Sequence, residues 1–175
     1  MAGAPRHLVL VGLMGVGKST VGAECAARLA RPLVDTDELV EATAGATVSE
    51  IFDSEGEDGF RARERVAIAD ACASTVPLVI ACGGGAVLDA ANREALRRRG
   101  MVVWLRASPA ELAARVGDDS ARPLLAGLPR VETLERLATL RAPAYESAAH
   151  VVIDTDSLDA DAVADRVLEE LRRCE

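Results

Sequence analysis

Residues 7–20, HLVLVGLMGVGKST, join a short apolar run to a glycine-rich loop and then to a helical sequence. The run has the length of a buried strand, and KSTVGAECAARLA (18–30) has the apolar spacing of an amphipathic helix. Gly12-x-x-x-x-Gly17-Lys18-Ser19 fits the phosphate-loop pattern G-x-x-x-x-G-K-[ST], with the strand before it and the helix after it that the pattern requires. Each part has a physical task. Glycines let backbone N–H groups turn toward phosphate oxygens, and the helix N-terminus adds partial positive charge. Lysine brings a mobile cation to the outer phosphates, and the serine hydroxyl can ligate Mg²⁺. A dinucleotide fingerprint is excluded, because the glycines stand in the order G-x-x-G-x-G. The chain has 20 Lys and Arg residues, and Lys18 is its only lysine. A guanine-reading N-K-x-D motif therefore cannot exist beside the loop, which argues against a GTPase.

Beyond the loop, short apolar runs alternate with longer amphipathic stretches. PLVDTD (32–37) reads as a strand closing on two aspartates, followed by the helix ELVEATA with Gly45 as its stop. TVSEIFDSEG (47–56) is a short helix opened by a capping box, Thr47 with Glu50. A long helix, EDGFRARERVAIADACAS, comes next, then the strand PLVIACGGG (77–85). DAANREALRRRG is a helix stopped at Gly100, and MVVWLRA is a strand. The next helix has Ser108 as N-cap and Pro109 at its first position. DDSARPLLAGLP (118–129) lacks periodicity and reads as a loop, a candidate lid. The segment from 130 is helical at least in its first part, HVVIDT is the last strand, and LDADAVADRVLEELRR is the closing helix. Five strands separated by helices mean βαβ units, hence an α/β protein with a parallel sheet covered on both faces. The length of 175 residues suits one domain, 1–175.

Net charge is −8. Nucleic-acid binders carry a basic face or tail; the one compact basic run, Arg97–Arg99, ends a predicted helix, where cations are favoured. No nucleic-acid partner is expected. No apolar run approaches the length that spans a bilayer, so no membrane association is expected, and the expected compartment is the cytoplasm. Cys25, Cys72, Cys82 and Cys174 form no C-x-x-C pair and read as reduced thiols, while His7 and His150 beside strands read as structural.

Three places bear on what receives the phosphate. Asp35 and Asp37 alternate with Thr36 at a strand end, which would point both carboxylates to one side, beside the phosphate loop. They could hold a Mg²⁺ shell and take a hydroxyl proton. In GEDGFRARE (56–64), Arg61 and Glu64 stand i, i+3 on one helix face, so Glu64 can brace a guanidinium that suits a planar carboxylate. Gly83, Gly84 and Gly85 follow a buried strand; three glycines cost backbone entropy and suggest a ligand against the backbone.

Taken together, GLMGVGKST, DTD at 35–37, GE-x-x-FR-x-x-E at 56–64, GGGAV at 83–87, RPLLAG at 122–127 and RAPAYE at 141–146 resemble the shikimate kinases in order and spacing, from residue 8 to about 155. The resemblance implies ATP-dependent phosphorylation of the 3-hydroxyl of shikimate, in aromatic amino-acid biosynthesis. It also implies the fold of nucleoside monophosphate kinases: three layers around a five-stranded parallel sheet in the order 2-3-1-4-5, a substrate-binding region at 37–65 and a lid at 117–129. Carried over, Gly15, Val16, Gly17, Lys18, Ser19 and Thr20 would hold the nucleotide. Ser19, and Asp35 through water, would hold one Mg²⁺ bound with ATP. Asp37 would hold substrate hydroxyls and accept the proton, with Gly83, Gly84 and Gly85 beside the ring. Arg61 and Arg141 would clamp the carboxylate. Arg122 would close with the lid onto the transferring phosphate, and Arg115 would lie against adenine. Lys18, Asp37 and Arg122 would thus be the catalytic set.

Two departures stand out: Met14, where the family often has proline, and the acidic DTDSLDAD (154–161) near the expected adenine site, where relatives often carry basic or Asn/Pro residues. The rivals are a gluconate kinase, which shares loop and fold, a nucleoside monophosphate kinase, against which the DTD end argues, and a nucleotide-binding module without catalysis. A monomer is expected, since no surplus apolar stripe remains once the sheet is covered.

Overall fold

The computed structural model describes residues 7–116 and 129–174. Its order is β1 (His7–Val11), α1 (Lys18–Leu29), β2 (Leu33–Asp35), α2 (Thr36–Ala44), α3 (Val48–Ala73), β3 (Val79–Ala81), a 3₁₀ turn (Ala86–Leu88), α4 (Ala90–Arg99), β4 (Gly100–Arg106), α5 (Pro109–Arg115), α6 (Arg130–Ala148), β5 (Val151–Asp154) and α7 (Ala160–Cys174). The strands form one parallel sheet in the order β2-β3-β1-β4-β5, as expected. The central strand explains why. Every residue of β1 is buried, as the middle of a sheet covered on both faces demands. It pairs Leu10 with Ala81 of β3 and Val11 with Trp104 of β4. Because all strands run the same way, the ends of β1, β3 and β2 lie side by side. The phosphate loop, the three glycines and Asp35 therefore emerge along one sheet edge, where open α/β folds bind ligands.

Outside the main core, α2 and α3 share a small apolar cluster of Val40, Ile51, Phe60 and Ala67. The capping box of Thr47 and Glu50 is present. The two helices expected on either side of Gly56 run on as α3 with a kink there, at φ 72°. Gly45 stops α2 in a left-handed conformation as expected. Gly100 does not: its backbone is extended, and β4 begins on it directly. A side chain at Gly100 would meet His7 O at 2.6 Å, so packing rather than turn geometry selects glycine there. The helix from 130 continues through Pro143 to Ala148.

One expectation about β2 is overturned. The strand ends at Asp35, and Thr36 and Asp37 belong to the first turn of α2. Asp35 caps that helix, accepting from the N–H groups of Asp37 and Glu38. The two aspartates are thus a cap and a first-turn residue, not two positions on one strand face.

Both histidines are structural acceptors: His7 Nδ1 takes Leu78 N–H at 3.1 Å and His150 Nδ1 takes Val102 N–H at 3.0 Å. Cys25, Cys72, Cys82 and Cys174 are all free thiols. No helix of the described residues is long and apolar enough to cross a membrane.

The arginine run is more specific than a helix-end charge. Arg97 Nη1 donates to the carbonyls of Ala148 and Ala149 at 3.0 and 2.9 Å, closing the end of α6. Arg99 Nε donates to Cys72 O at 2.8 Å, near the end of α3. Arg98 only faces Glu94 at 3.6 Å, with both side chains mostly in solvent. We expect Arg97→Ala to lower the unfolding free energy in urea by about 1 kcal/mol, and Arg98→Ala to change it by less than about 0.5 kcal/mol.

Candidate active site

A cleft of about 620 Å³ opens along the sheet edge. It is lined by the phosphate loop, the β2–α2 junction, α3, the glycine loop, Arg115 of α5 and Arg141 of α6. The volume suits a small ligand beside a nucleotide tail.

The phosphate half is set by backbone shape. Gly15 and Gly17 have φ of 82° and 96°, which side-chain-bearing residues rarely adopt. Gly15 also faces Val116, whose Cγ2 would stand 2.5 Å from an added Cβ, so the loop is wedged against the end of α5. Lys18 Nζ donates to the carbonyls of Gly12 and Leu13 at 2.9 Å each, which holds its ammonium over the loop. Ser19 Oγ donates to Asp35 Oδ2 at 2.6 Å. Among the described residues no group of three or more His, Cys, Asp and Glu side chains could hold a metal ion by itself. The Ser19–Asp35 pair instead fits an ion that keeps most of its waters and takes its other ligands from phosphate, the habit of Mg²⁺.

The acceptor half gathers charge around the glycine loop. Arg61 Nη1 bonds Glu64 Oε2 at 2.8 Å, the i, i+3 brace expected from the sequence, and Nη2 bonds Glu57 Oε1 at 3.2 Å. Arg61 also lies over the Phe60 ring at 5.3 Å. Glu64 is 1% exposed and Arg141 3%. The need for glycines is now visible, and it differs from the one expected. The site's own side chains, not only a ligand, crowd the backbone. An added Cβ at Gly83 would stand 2.5 Å from Asp37 Oδ1 and 2.8 Å from Glu64 Oε1, and one at Gly85 would strike the Arg61 guanidinium.

Three buried polar atoms here have no hydrogen-bond partner: Asp37 Oδ1, Glu64 Oε1 and Arg141 Nε. All three residues line the cleft. Buried polar groups are rarely left unmet without a reason, and a ligand rich in hydroxyls and negative charge supplies one. Burial first, and then the charges of Glu64 and Asp35, raise the Asp37 carboxyl to about 6. Burial also raises Glu64, against the opposing pull of Arg61 and Arg141.

On the nucleotide side, Arg115 donates to Thr155 Oγ1 and Thr155 O at 3.2 and 2.9 Å, and to Glu111 at 3.1 Å. It ties α5 to the loop after β5. The acidic segment 154–161 is largely committed to internal work. Asp154 grips Arg106 with both oxygens, Asp156 accepts from Ser108 N–H, and Asp159 accepts from Ala162 N–H at the start of α7. Asp161 pairs with Arg28.

Of the residues singled out from sequence, Gly15, Gly17, Lys18, Ser19, Thr20, Asp35, Asp37, Arg61, Gly83, Gly84, Gly85, Arg115 and Arg141 all line the cleft. The Val16 side chain faces away, into a separate cavity behind the loop. Arg122, with the lid at 117–129 apart from Pro129, lies outside the described residues. Sequence reasoning missed the apolar wall of Val48, Phe52 and Phe60. A signal existed: both phenylalanines of a chain with so few aromatics stand in it.

The Asp37 burial has a measurable cost. A carboxyl raised from its ordinary 3.8 to about 6 makes the folded state bind its proton more tightly than the unfolded state. Its contribution to stability therefore falls as pH rises from about 4 to about 6. Asparagine carries no charge to bury. Without Mg²⁺, Asp37→Asn should exceed the natural chain in unfolding free energy by about 2–3 kcal/mol at pH 8. Urea titrations should show the gap closing toward pH 4.

The geometry agrees with what known proteins show. A family model for shikimate kinase matches residues 14–172. A shikimate kinase of Symbiobacterium thermophilum is 51% identical over 168 residues, covering 95% of this chain and 96% of that protein. One from Bordetella pertussis is 44% identical over 168 residues, covering 96% and 79%. The structure superimposes on shikimate kinase from Acinetobacter baumannii in complex with shikimate with a TM-score of 0.93, at 38% identity and covering 97% and 94%. The chain belongs to the shikimate kinase family.

Proposed function

We propose a division of labour among the cleft residues for the reaction of this family, transfer of the γ-phosphate of ATP to the 3-hydroxyl of shikimate in aromatic amino-acid biosynthesis. The observation that carries it is one cleft holding both a phosphate loop and the partnerless Asp37, Glu64 and Arg141 atoms. Shikimate has one carboxylate, several hydroxyls and no phosphate. Arg61, held by Glu64 and lying over Phe60, and Arg141 from α6 grip the carboxylate. Phe52, Phe60 and Val48 cover the ring's apolar parts. Residues 37–65 are thus the substrate-binding region, and Val40, Ile51 and Phe60 from it share a small core with Ala67.

Asp37 accepts the hydroxyl proton. Its raised carboxyl is a stronger base than an exposed aspartate, yet ionised at neutral pH, as general-base chemistry favours. Lys18 leaves its loop carbonyls to meet the outer phosphates. The backbone N–H groups of Gly15, Val16, Gly17, Ser19 and Thr20 face the phosphates; for Val16 the contact is through backbone alone. Ser19 and Asp35 would hold Mg²⁺, Asp35 through water. When bound, that ion neutralises charge on the β- and γ-phosphates. Arg115, fixed on Thr155, offers a flat face to adenine. Arg122 and the lid at 117–129 complete the site on closure, excluding water. The remaining chemistry is alignment and charge stabilisation, which phosphoryl transfer chiefly needs. The chain acts as a cytoplasmic monomer, without nucleic-acid or membrane partners.

An ADP-release assay with Mg-ATP and shikimate, gluconate or AMP offered separately tests this. Turnover is expected with shikimate alone and should vanish when EDTA removes the metal. Asp37→Asn should lower kcat by at least about 100-fold. Arg61→Ala should raise the shikimate KM and leave the ATP KM unchanged. Turnover with gluconate instead, or equal loss of ATP affinity in Arg61→Ala, would contradict the acceptor assignments.

A further inference from the structure

The glycine loop cannot hold itself. Gly83, Gly84 and Gly85 carry no side chains to pack, and glycine loses the most backbone freedom on ordering. The loop nevertheless stands between Asp37 on one side and Arg141 on the other. Its own onward bonds, Ala86 N–H to Gly83 O and Leu88 N–H to Gly85 O at 3.0 Å each, hold only the 3₁₀ turn that follows.

Two hydroxyls from distant elements meet it at successive residues. Gly83 N–H donates to Thr36 Oγ1 at 3.0 Å, and Thr36 is fully buried. Tyr145 donates its hydroxyl to Gly84 O at 2.5 Å and is 1% exposed. Thr36 sits between Asp35, which faces Ser19, and Asp37. Tyr145 stands four residues beyond Arg141, on the same face of α6. Its ring stacks on Trp104 of β4 at 5.3 Å, so the hydroxyl is held from behind by the sheet. Burial pushes the Tyr145 hydroxyl up to about 12, which keeps it a donor at every working pH. Neither residue lines the cleft.

We propose that Thr36 and Tyr145 are positioning residues that touch no substrate: their hydroxyls pin the glycine loop and thereby set the gap between Asp37 and Arg141 into which the acceptor fits. The inference rests on the acceptor assignments above. The middle residue of DTD and the tyrosine of RAPAYE then have tasks of their own. Each side of the acceptor slot carries one group that meets the acceptor and one that gauges the loop. The nucleotide half should be indifferent, because Lys18 and Ser19 are held by Gly12, Leu13 and Asp35 instead.

The test removes one hydroxyl at a time. Thr36→Val leaves the Gly83 N–H unmet. Tyr145→Phe leaves the Gly84 carbonyl unmet and removes the hydroxyl oxygen that Arg141 also bonds, while keeping the ring on Trp104. Thr36→Val, which leaves Arg141 untouched, is therefore the variant that isolates the loop. Steady-state kinetics are run for each with shikimate and ATP varied separately. We expect kcat/KM for shikimate to fall about tenfold in each variant, mostly through KM, with the ATP KM within about twofold of the natural chain. Thr36→Ser, which keeps the hydroxyl, should recover most of that loss. Emission from Trp104, the chain's only tryptophan, reports whether each variant is folded. An unchanged shikimate KM in folded Tyr145→Phe would overturn the proposal. So would equal losses for shikimate and ATP, or a Thr36→Ser as impaired as Thr36→Val. Should Thr36→Val not fold, Tyr145→Phe and Thr36→Ser still decide. Absence of shikimate turnover in the natural chain would instead sink the assignments on which the inference rests.

Discussion

Parallel pairing of β1 between β3 and β4 is the constraint on which the rest depends. Parallel strands start at one edge and finish at the other, so each connection must cross back outside the sheet. That leaves the ends of β2, β3 and β1 as neighbours. The chain spends those three ends on Asp35, the glycine loop and the phosphate loop. Nucleotide and acceptor chemistry thus share one edge without a second domain. The bond from Ser19 to Asp35 joins the first and second connections directly, and Gly83 N–H to Thr36 joins the second and third.

The same edge is where the protein departs from maximal stability. Carboxylates at Asp37 and Glu64 are drawn from water within reach of one another, around a glycine too small to separate them. Glu64 gains Arg61 as compensation, yet each carboxylate retains an oxygen without a partner. Such groups cost free energy in the empty protein and become useful only when a ligand meets them. The contrast with the acidic segment after β5 is instructive. There the carboxylates are exposed, capped or paired with arginine, and nothing is left for a ligand.

Much of this was legible in the residues, but unevenly. The phosphate loop was legible because its chemistry is local: glycines, lysine and serine within nine positions. The parallel sheet followed from alternating apolar runs. The two aspartates were found, but their geometry was misjudged, because a helix cap competes with strand alternation and Asp35 does what aspartate does best at a helix start. The triple glycine was legible as a place where something approaches the backbone; that side chains from α2 and α3 crowd it was not, since no local pattern encodes that approach. Arg141 rested on family resemblance alone, since a helical arginine looks the same whether solvated or buried. Thr36 and Tyr145 were invisible because their partners lie 47 and 61 residues away. The roles of Arg97 and Arg99 also depend on which helix ends the fold brings to them.

The central claim is that the cleft recognises its acceptor by a carboxylate held between Arg61 and Arg141. Calorimetric titration of shikimate and of its methyl ester tests it most directly, because the ester keeps every hydroxyl while a small methyl group cancels the charge. Binding of shikimate with loss of affinity for the ester of about 100-fold or more is the predicted result, as expected when the buried Arg141 and the partly buried Arg61 are left facing a neutral group. Equal affinity for acid and ester would contradict it and would return both arginines to a structural role.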